Sequence, residues 1–255
     1  MKRRIVVTGL GAVTSIGETA NSTWSALLNG CNGVKSISHL TQFNCIPNNA
    51  SLYAAIIPGA SALMKKYYVS PLIKSNTLYY ALALAATEQA LLDSKLPIES
   101  LTTDQQYRIG VMIGSSASDK PPAETALNEL KDRNYNYLNK MILLQVLTNL
   151  GSSLVALKYG FKGYSGTPVV ACAAGLVAII DAARVIKEGL ADIMIAGGAE
   201  ESVSPFILQG FSSLKALSTK YSATPEKSSR PFDAHRDGLI LGDGAGILML
   251  EVLLL

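Results

Sequence analysis

The stretch that decides the fold runs over residues 168–200 and reads PVVACAAGLVAIIDAARVIKEGLADIMIAGGAE. Its first part, 169–171, is short and apolar and predicts a β-strand that ends at Cys172. Residues 173–188 predict a helix whose polar side chains fall on one narrow stripe, and such a helix lies mostly buried. Residues 192–196 predict the next strand, which a pair of glycines ends. This succession of strand, helix and strand is typical of an α/β unit.

The same alternation extends outward from this stretch in both directions. Further strands are predicted at 5–8, 108–113 and 247–251, and further helices at 21–28, 78–92 and 141–159, the last interrupted near Gly151. Irregular segments are predicted at 31–76 and 218–237, with a glycine-rich turn after the first strand and a loop through Pro121 and Pro122. Strands that alternate with helices predict an α/β fold in which helices cover a mostly parallel sheet.

The composition is that of a folded chain and excludes several classes of protein. Of its 255 residues 49% are hydrophobic and 16% charged, which excludes an intrinsically disordered chain. The net charge of +3 gives no argument for nucleic acid or an anionic membrane as a partner. No uncharged apolar run reaches transmembrane length. The basic start and the apolar run over 5–17 imitate a secretory signal, but three glycines break a helix there.

The cysteines and histidines predict neither a disulfide framework nor a metal or cofactor. Cys31, Cys45 and Cys172 form no C-x-x-C pair, and an odd number does not suit a set of disulfides. His39 and His235 add no zinc-binding spacing. The Gly9-Leu10-Gly11 segment also falls short of a dinucleotide fingerprint, because the final glycine of that motif is missing.

Cys172 is the candidate nucleophile that the residues themselves suggest. It stands where a strand gives way to a helix, and the helix dipole and the unpaired N–H groups there favour a thiolate. The same N–H groups could stabilise an oxyanion on a thioester carbonyl. A buried, inert cysteine remains the alternative from context alone. A hydrolase elbow does not fit, since Val170 stands where that motif needs glycine.

Seven short motifs in order resemble those of the β-ketoacyl-acyl-carrier-protein synthases, most closely the elongating type II branch. They are RIVVTGLGAVT (4–14), ACAAG (171–175), ADIMIAGGAE (191–200), ALST (216–219), SRPFD (229–233), RDG (236–238) and GDGAG (242–246). Residues 124–127, ETAL, hint at the mitochondrial form. A thiolase is a weaker alternative, because the last two motifs favour the synthase.

The resemblance implies a thiolase-like fold of two similar α/β halves, of which residues 1–255 would be the N-terminal domain with a five-stranded mixed sheet. It implies an enzyme that takes an acyl chain from acyl carrier protein onto Cys172 and joins it to the carbanion of decarboxylated malonyl-acyl carrier protein. The Cys172 N–H would form half of the oxyanion hole. Leu147, Asn149 and Leu150 would lie near the acyl pocket and the dimer seam.

Partners and compartment follow from the same resemblance. A homodimer is expected, formed through the strand that leads to Cys172, and acyl carrier protein is the expected partner. Lys65, Lys66 and Lys74 are candidates for a surface that meets this acidic carrier, although ordinary solvated lysines explain them as well. The compartment would be the cytoplasm in a bacterium, and the mitochondrion or plastid in a eukaryote.

The sequence departs from the family in ways that bear on activity. The two histidines of the family lie in its second half, and neither His39 nor His235 matches them. Val170, Tyr164 and Leu239 stand where Thr or Ser, Pro and Phe are usual. We therefore expect a fragment or truncated synthase that does not complete the reaction alone. The alternative is a non-catalytic partner that dimerises with a full-length synthase.

Overall fold

The computed structural model describes residues 3–44, 52–67, 77–116, 120–132 and 142–253. Seven strands lie in these ranges: β1 (Ile5–Val13), β2 (Lys35–Ser36), β3 (Tyr53–Ala54), β4 (Ile109–Gly114), β5 (Ser165–Gly166), β6 (Ile193–Glu200) and β7 (Gly244–Val252). Nine α-helices accompany them: α1 (Ala20–Leu28), α2 (Ala60–Lys66), α3 (Leu78–Ser94), α4 (Thr103–Tyr107), α5 (Lys120–Asp132), α6 (Ile142–Gln145), α7 (Leu150–Tyr159), α8 (Ala174–Lys187) and α9 (Pro205–Ser213).

Five of the strands form one mixed sheet in the order β1-β7-β6-β4-β5. The pairs β4–β5 and β4–β6 are parallel, whereas β7 runs antiparallel to both of its neighbours. The expectation of a mostly parallel sheet was therefore wrong for the β1–β7 side, where neighbouring strands run in opposite directions. The five-stranded mixed sheet expected from the resemblance is confirmed. A separate two-stranded ribbon is formed by β2 and β3.

Helices cover both faces of the five-stranded sheet. On one face α3 and α7 pack against alternate strand residues such as Val111 and Ile195. On the other face α8 packs against the intervening residues, among them Met112 and Met194. A smaller core joins the ribbon to α9 and to the loops after it. Among the described residues, none of the helices combines the length and apolarity that crossing a bilayer requires.

The strand before Cys172 is shorter than the sequence predicts. The ladder of β5 with β4 ends at Gly166, with one further bond from the Ser115 N–H to the Pro168 carbonyl at 3.3 Å. Val169 and Val170 are exposed and pair with no described strand. The segment predicted as strand 169–171 therefore extends past the end of β4 and has no strand to pair with. Among the described strands β5 pairs only with β4, so β5 is the edge of the sheet.

Several other predicted boundaries also change. The predicted breaks at Gly9 and Gly197 do not occur, since β1 and β6 run through their glycines. The predicted loop through Pro121 is instead the first turn of α5, where proline needs no N–H partner. Helices α2, α4 and α9 lie in segments for which no helix was predicted. The helices predicted over 21–28 and 78–92 are confirmed as α1 and α3.

Candidate active site

Cys172 lies in a single 3₁₀ turn, Ala171–Ala173, which leads directly into α8. Ala171 has a φ of 51°, in the left-handed region that a residue with a Cβ seldom adopts. Such an outlier is typical of a functional position held by its surroundings. Cys172 is a free, exposed cysteine, so it is not the buried residue of the alternative, and its role as a nucleophile stays a prediction.

Close packing of glycines fixes the start of α8 on the sheet. A Cβ built at Gly114, the last residue of β4, would lie 2.2 Å from the Ala174 carbonyl oxygen. A Cβ at Gly198 in β6 would lie 3.1 Å from the Cα of Gly175. The first turn of α8 therefore rests directly on the carboxyl ends of β4 and β6. This contact holds the turn with Cys172 at the end of the sheet where sites of α/β folds form.

Cys172 opens into a cleft of about 900 Å³. Small residues from the strand ends, Gly114, Gly198, Gly244 and Gly246, line part of this cleft. Apolar side chains form another part of its wall: Ile207, Phe211, Leu239, Ile240 and Leu241. Within the described residues, the Cys172 backbone N–H donates to no acceptor. The cleft thus combines an accessible thiol, a backbone donor beside it and an apolar wall.

A carboxylate held by two serines forms a polar part of the same wall. Glu200 ends β6, and its Oε1 accepts a hydrogen bond from Ser115 Oγ at 3.1 Å. Its Oε2 accepts bonds from the Ser116 N–H at 2.8 Å and from Ser116 Oγ at 2.9 Å. All three residues line the cleft. Because β4 and β6 are neighbours, residues 84 and 85 apart in sequence meet here.

Two buried carboxyl groups stand behind this wall. Asp243 accepts hydrogen bonds from the N–H groups of Ser202 at 2.8 Å and Val203 at 3.0 Å. Burial raises the pKa of Asp243 to about 6. Burial also raises the pKa of Glu201 to about 7. The hydrogen bond that Glu201 Oε2 accepts from the Tyr79 N–H at 3.2 Å lowers this pKa, but by less than burial raises it. This bond satisfies a backbone N–H in the first turn of α3, where the N-cap residue Thr77 makes no side-chain hydrogen bond.

The residues predicted for the acyl pocket and dimer seam lie apart from this cleft. Leu150 begins α7, Asn149 is its N-cap, and Leu147 lies in the connection from α6; none of them lines the cleft. Two buried tyrosines of α3 fix this connection: Tyr79 donates to the Thr148 carbonyl, and Tyr80 donates to the Gln145 carbonyl, both at 2.9 Å. Helix α7 packs beside β4 and β5. The placement of Leu147, Asn149 and Leu150 at a dimer seam stays a prediction.

Neither histidine reaches Cys172. His39 is exposed in the irregular segment after β2, and His235 is exposed in the loop before β7. The His235 N–H donates to Asp233 Oδ1 at 2.7 Å, and its carbonyl accepts the Tyr221 hydroxyl at 3.0 Å. Neither lines the cleft. In the described part of the chain, no three His, Cys, Asp or Glu residues are grouped so that they could hold a metal ion.

The candidate carrier-protein surface is described in part. Lys65 and Lys66 end α2 and are exposed, whereas Lys74 lies outside the described residues. Lys66 Nζ lies 3.5 Å from Glu88 Oε2, so its charge is partly neutralised. Lys65 and Lys66 therefore lie on the outer side of α3, on the face of the sheet opposite α8. A role for them in binding a carrier stays a prediction.

The apolar wall of the cleft was not predicted from the sequence, because α9, which contributes part of it, was not predicted. The signal was present: Ser204 is an N-cap whose side chain accepts from the Ile207 N–H, and Pro205 follows at the first helical position. Ile207, Leu208 and Phe211 then recur at helical spacing. Leu239 and Leu241 belong to a segment without regular structure, for which periodicity gives no signal.

Comparisons with known proteins agree on one family. A family model described as the β-ketoacyl synthase N-terminal domain matches residues 2–254. A mitochondrial 3-oxoacyl-acyl-carrier-protein synthase of Arabidopsis thaliana is 35% identical over 263 residues, which cover 98% of this chain and 56% of the relative. The 3-oxoacyl-acyl-carrier-protein synthase 2 of Synechocystis is 36% identical, with 99% of this chain and 58% of the relative covered. The chain thus spans less than two thirds of these relatives.

Solved structures show the same fold. A β-ketoacyl synthase from Burkholderia phymatum superposes with a TM-score of 0.80 at 28% identity, over 99% of this chain and 60% of that one. A ketosynthase solved in complex with its type II PKS acyl-carrier protein gives a TM-score of 0.83 at 29% identity, over 99% and 59% of the two chains. These likenesses confirm the thiolase-like α/β fold that the motifs predict.

Proposed function

The chain belongs to the β-ketoacyl synthase family, and from this membership we propose that it acts in fatty-acid chain elongation by accepting an acyl group on Cys172. One observation carries the proposal: Cys172 is exposed on a strained turn at the start of α8 and opens into a cleft of about 900 Å³. A purely structural cysteine needs neither this exposure nor this cleft. In this proposal residues 1–255 act as the N-terminal domain of the family fold.

The acyl transfer can be written with groups that the site contains. The Cys172 thiolate attacks the carbonyl carbon of an acyl thioester, so that a new C–S bond forms and the negative charge moves to the carbonyl oxygen. The Cys172 N–H, which has no acceptor among the described residues, would donate to that oxygen. When the intermediate collapses, the old C–S bond breaks and the carrier thiol leaves with a proton from solvent. The apolar wall with Ile207 and Phe211 suits an acyl chain.

We propose further that this chain alone stops after acyl transfer. Condensation requires the carbanion of decarboxylated malonyl thioester, and a group must stabilise the charge that develops. Neither His39 nor His235 lines the cleft, and the Glu200 carboxyl accepts hydrogen bonds from Ser115 and Ser116. Among the described residues that line the cleft there is therefore no cationic or imidazole group for that step.

Partners and compartment are part of the same proposal. Acyl carrier protein is the proposed donor, and the related ketosynthase was solved in complex with its own acyl-carrier protein. A homodimer formed at β5 is proposed because Val169 and Val170 are exposed beyond the end of that strand. The relatives include proteins named mitochondrial from a plant and a yeast, and others from bacteria. The proposed compartment is therefore the cytoplasm in a bacterium, and the mitochondrion or plastid in a eukaryote.

The test is acylation of the purified chain by an octanoyl-loaded acyl carrier protein, followed by intact-mass measurement and peptide mapping. We expect one octanoyl group, on Cys172, and none in Cys172→Ala. The matched control is Cys31→Ala, which removes the second exposed cysteine of the described residues and should leave the acylation unchanged. Acylation at Cys172 should be at least about tenfold faster than at Cys31, since only Cys172 has a helix N-terminus and a cleft beside it.

Two results would contradict the proposal. Equal rates at Cys31 and Cys172 would show that the site does not activate its thiol, and full acylation of Cys172→Ala would place the acceptor elsewhere. Absence of acylation with an intact fold would favour the alternative of a non-catalytic partner. Addition of malonyl-loaded carrier should yield no β-ketoacyl product from this chain, and a product would overturn the proposed stop after acyl transfer.

A further inference from the structure

The two edges of the five-stranded sheet differ in whether their backbone N–H groups already have acceptors. Among the described strands, β5 pairs only with β4 at one edge, and β1 pairs only with β7 at the other. Beside β5, the N–H groups of Val169 and Val170 donate to no acceptor within the described residues. An edge with free N–H groups is a template on which another strand can pair. The β1 edge differs: a register shift between Val7 and Gly9 interrupts the strand, and from Leu10 onward its outward N–H groups are bound by other parts of the chain.

Two side chains of α3 bind N–H groups along the β1 edge. The Leu10 N–H donates to Asp93 Oδ2 at 2.9 Å, and the Ala12 N–H donates to Gln89 Oε1 at 3.2 Å. Leu10 and Ala12 are alternate residues of one strand, so their N–H groups point to the same edge, away from β7. An incoming strand would need these two N–H groups, and both are already donated.

Neighbouring contacts hold the same edge. Gln89 Nε2 donates to the Glu18 carbonyl at 2.8 Å, and Gln89 Oε1 accepts a second N–H, that of Ala20, at 3.2 Å. Just beyond β1, the Thr14 N–H donates to the Gly17 carbonyl at 2.8 Å. Three alternate N–H groups, from residue 10 to residue 14, therefore have acceptors. Because three hydrogen bonds fix the Gln89 side chain, an incoming strand must break all of them to displace it.

The spacing of helix and strand explains why two helical side chains fit one strand edge. Gly9 and Gly11 place no side chain between β1 and α3, so the helix lies directly on the strand. Gln89 and Asp93 are four residues apart and project from one side of α3, about 6 Å apart along its axis. Alternate residues of a strand are about 6.7 Å apart. The two acceptors therefore match two alternate N–H groups of β1.

We propose that Asp93 and Gln89 close the β1 edge to strand addition by a second copy of this chain, so that β5 is the open edge of the described sheet. Pairing of β5 with the β1 edge of the next copy would be head-to-tail and would continue without limit, whereas pairing of β5 with β5 closes at two copies. Closing the β1 edge therefore keeps the assembly finite. The proposal does not require a dimer at β5, because an opened β1 edge can also pair with the β1 edge of another copy.

The test compares the assembly of the full chain with and without the two acceptors, by sedimentation velocity and light scattering at low and high micromolar concentration. The double variant Asp93→Ala/Gln89→Ala should form species larger than any in the wild type, with a mass that grows with concentration. The matched control is Asp104→Ala/Gln105→Ala, which removes the same two residue types from α4, where Gln105 Oε1 accepts the Thr102 N–H at 2.8 Å. This control should keep the wild-type size distribution. A folded double variant with the wild-type distribution, or an equal increase in the control, would overturn the proposal.

A second measurement follows the edge itself and remains decisive if the double variant does not fold. Asp93→Ala alone removes the acceptor of the Leu10 N–H and leaves the bonds of Gln89 in place. At low concentration, hydrogen exchange of the Leu10 amide should be at least about tenfold faster than in the wild type, while the Ala12 amide stays protected. Asp93→Asn keeps an acceptor oxygen and loses the charge, so its exchange and its size distribution should match the wild type. Unchanged exchange at Leu10 in Asp93→Ala, or enlarged assemblies of Asp93→Asn, would show that the acceptor does not close this edge.

Discussion

Asp243 shows how a single buried group can shape the pH response of the whole chain. Its carboxyl accepts the N–H groups of Ser202 and Val203, and so it fixes the turn between β6 and α9 behind the cleft. Those bonds favour the anion, but burial has the larger effect and raises its pKa. The native fold therefore holds the Asp243 proton more tightly than the unfolded chain does.

We predict that Asp243→Asn removes part of the pH dependence of stability. The pKa rises from 3.8 to about 6 on folding, so the wild-type free energy of unfolding should fall as the pH rises from about 4 through 6. At about 1.4 kcal/mol per pKa unit, the upper limit is about 3 kcal/mol. Asparagine keeps an acceptor oxygen and does not ionise. Urea denaturation should give similar stabilities at pH 4 and a more stable variant at pH 8.

The internal control for this prediction is the difference between variant and wild type at each pH. A constant difference in the free energy of unfolding from pH 4 to 8 would contradict the prediction. The effect of the substitution would then come from packing or hydrogen bonding and not from ionisation.

At the level of single residues, the sequence predicts the nucleophile but not its surroundings. Cys172 is the nucleophile that its motif and its place between strand and helix predict, and this role stays a prediction. The bonds from Ser115 and Ser116 to Glu200 could not, because they depend on β4 and β6 being neighbours. The left-handed Ala171 also escaped prediction, since nothing in its residue type indicates a positive φ.

Among the elements, β1 and α3 depend on each other through two glycines. A Cβ at Gly11 would lie 1.9 Å from the Ala86 carbonyl oxygen, and one at Gly9 would lie 2.0 Å from that of Ala90. Ala86 and Ala90 are four residues apart and therefore share one side of α3. The glycines thus mark a close approach of strand and helix, which is why the glycine-rich turn predicted from them does not form.

We predict that Gly11→Ala destabilises the chain strongly, because the added methyl group meets backbone that cannot rotate away. Overpacking of this kind costs about 1–3 kcal/mol and more when backbone must move, so a loss of at least about 3 kcal/mol is expected. Gly246→Ala is the matched control, since Gly246 pairs with Ala12 in the adjacent strand and a Cβ there meets nothing within 4 Å. Chemical denaturation should show a large loss for the first variant and less than about 1 kcal/mol for the second. Similar losses for both would show that strand propensity decides the effect and not the contact with α3.

The elements that the sequence predicts best are those with long, uniform patterns. Helix α3 was predicted within two residues of its end, because its run of Ala and Leu is buried throughout its first half. Helix α9 is short and amphipathic and was missed despite its capping residues. The strand before Cys172 was predicted from a short apolar run, yet strand formation also requires a neighbouring strand, and the described chain offers none beside Val169 and Val170.

At the scale of the described chain, apolar side chains are left exposed at the sheet edge and on α8. Val169 and Val170 at the edge of the sheet are 56% and 46% exposed. Leu176 and Ile180 are 64% and 41% exposed. They are four residues apart in α8 and therefore lie on one face of the helix. The prediction of a mostly buried α8 therefore does not hold for the described chain, whose apolar helix face is only partly covered. Exposed apolar surface of this kind marks an interaction site.

We predict that this chain forms homodimers through the edge of the sheet at β5. The backbone N–H groups of Val169 and Val170 donate to no acceptor within the described residues, so a second copy could extend the sheet by pairing with them. Light scattering should give a mass of twice 27.0 kDa at micromolar concentration. Val170→Asp should weaken the dimer at least about tenfold, because a charge buried in the pairing edge must lose its hydration. Leu214→Asp, at a side chain that is 74% exposed beyond α9, should leave the mass unchanged. A monomeric wild type, or equal effects of both substitutions, would contradict pairing at this edge and leave the open face of α8 as the surface that binds a partner.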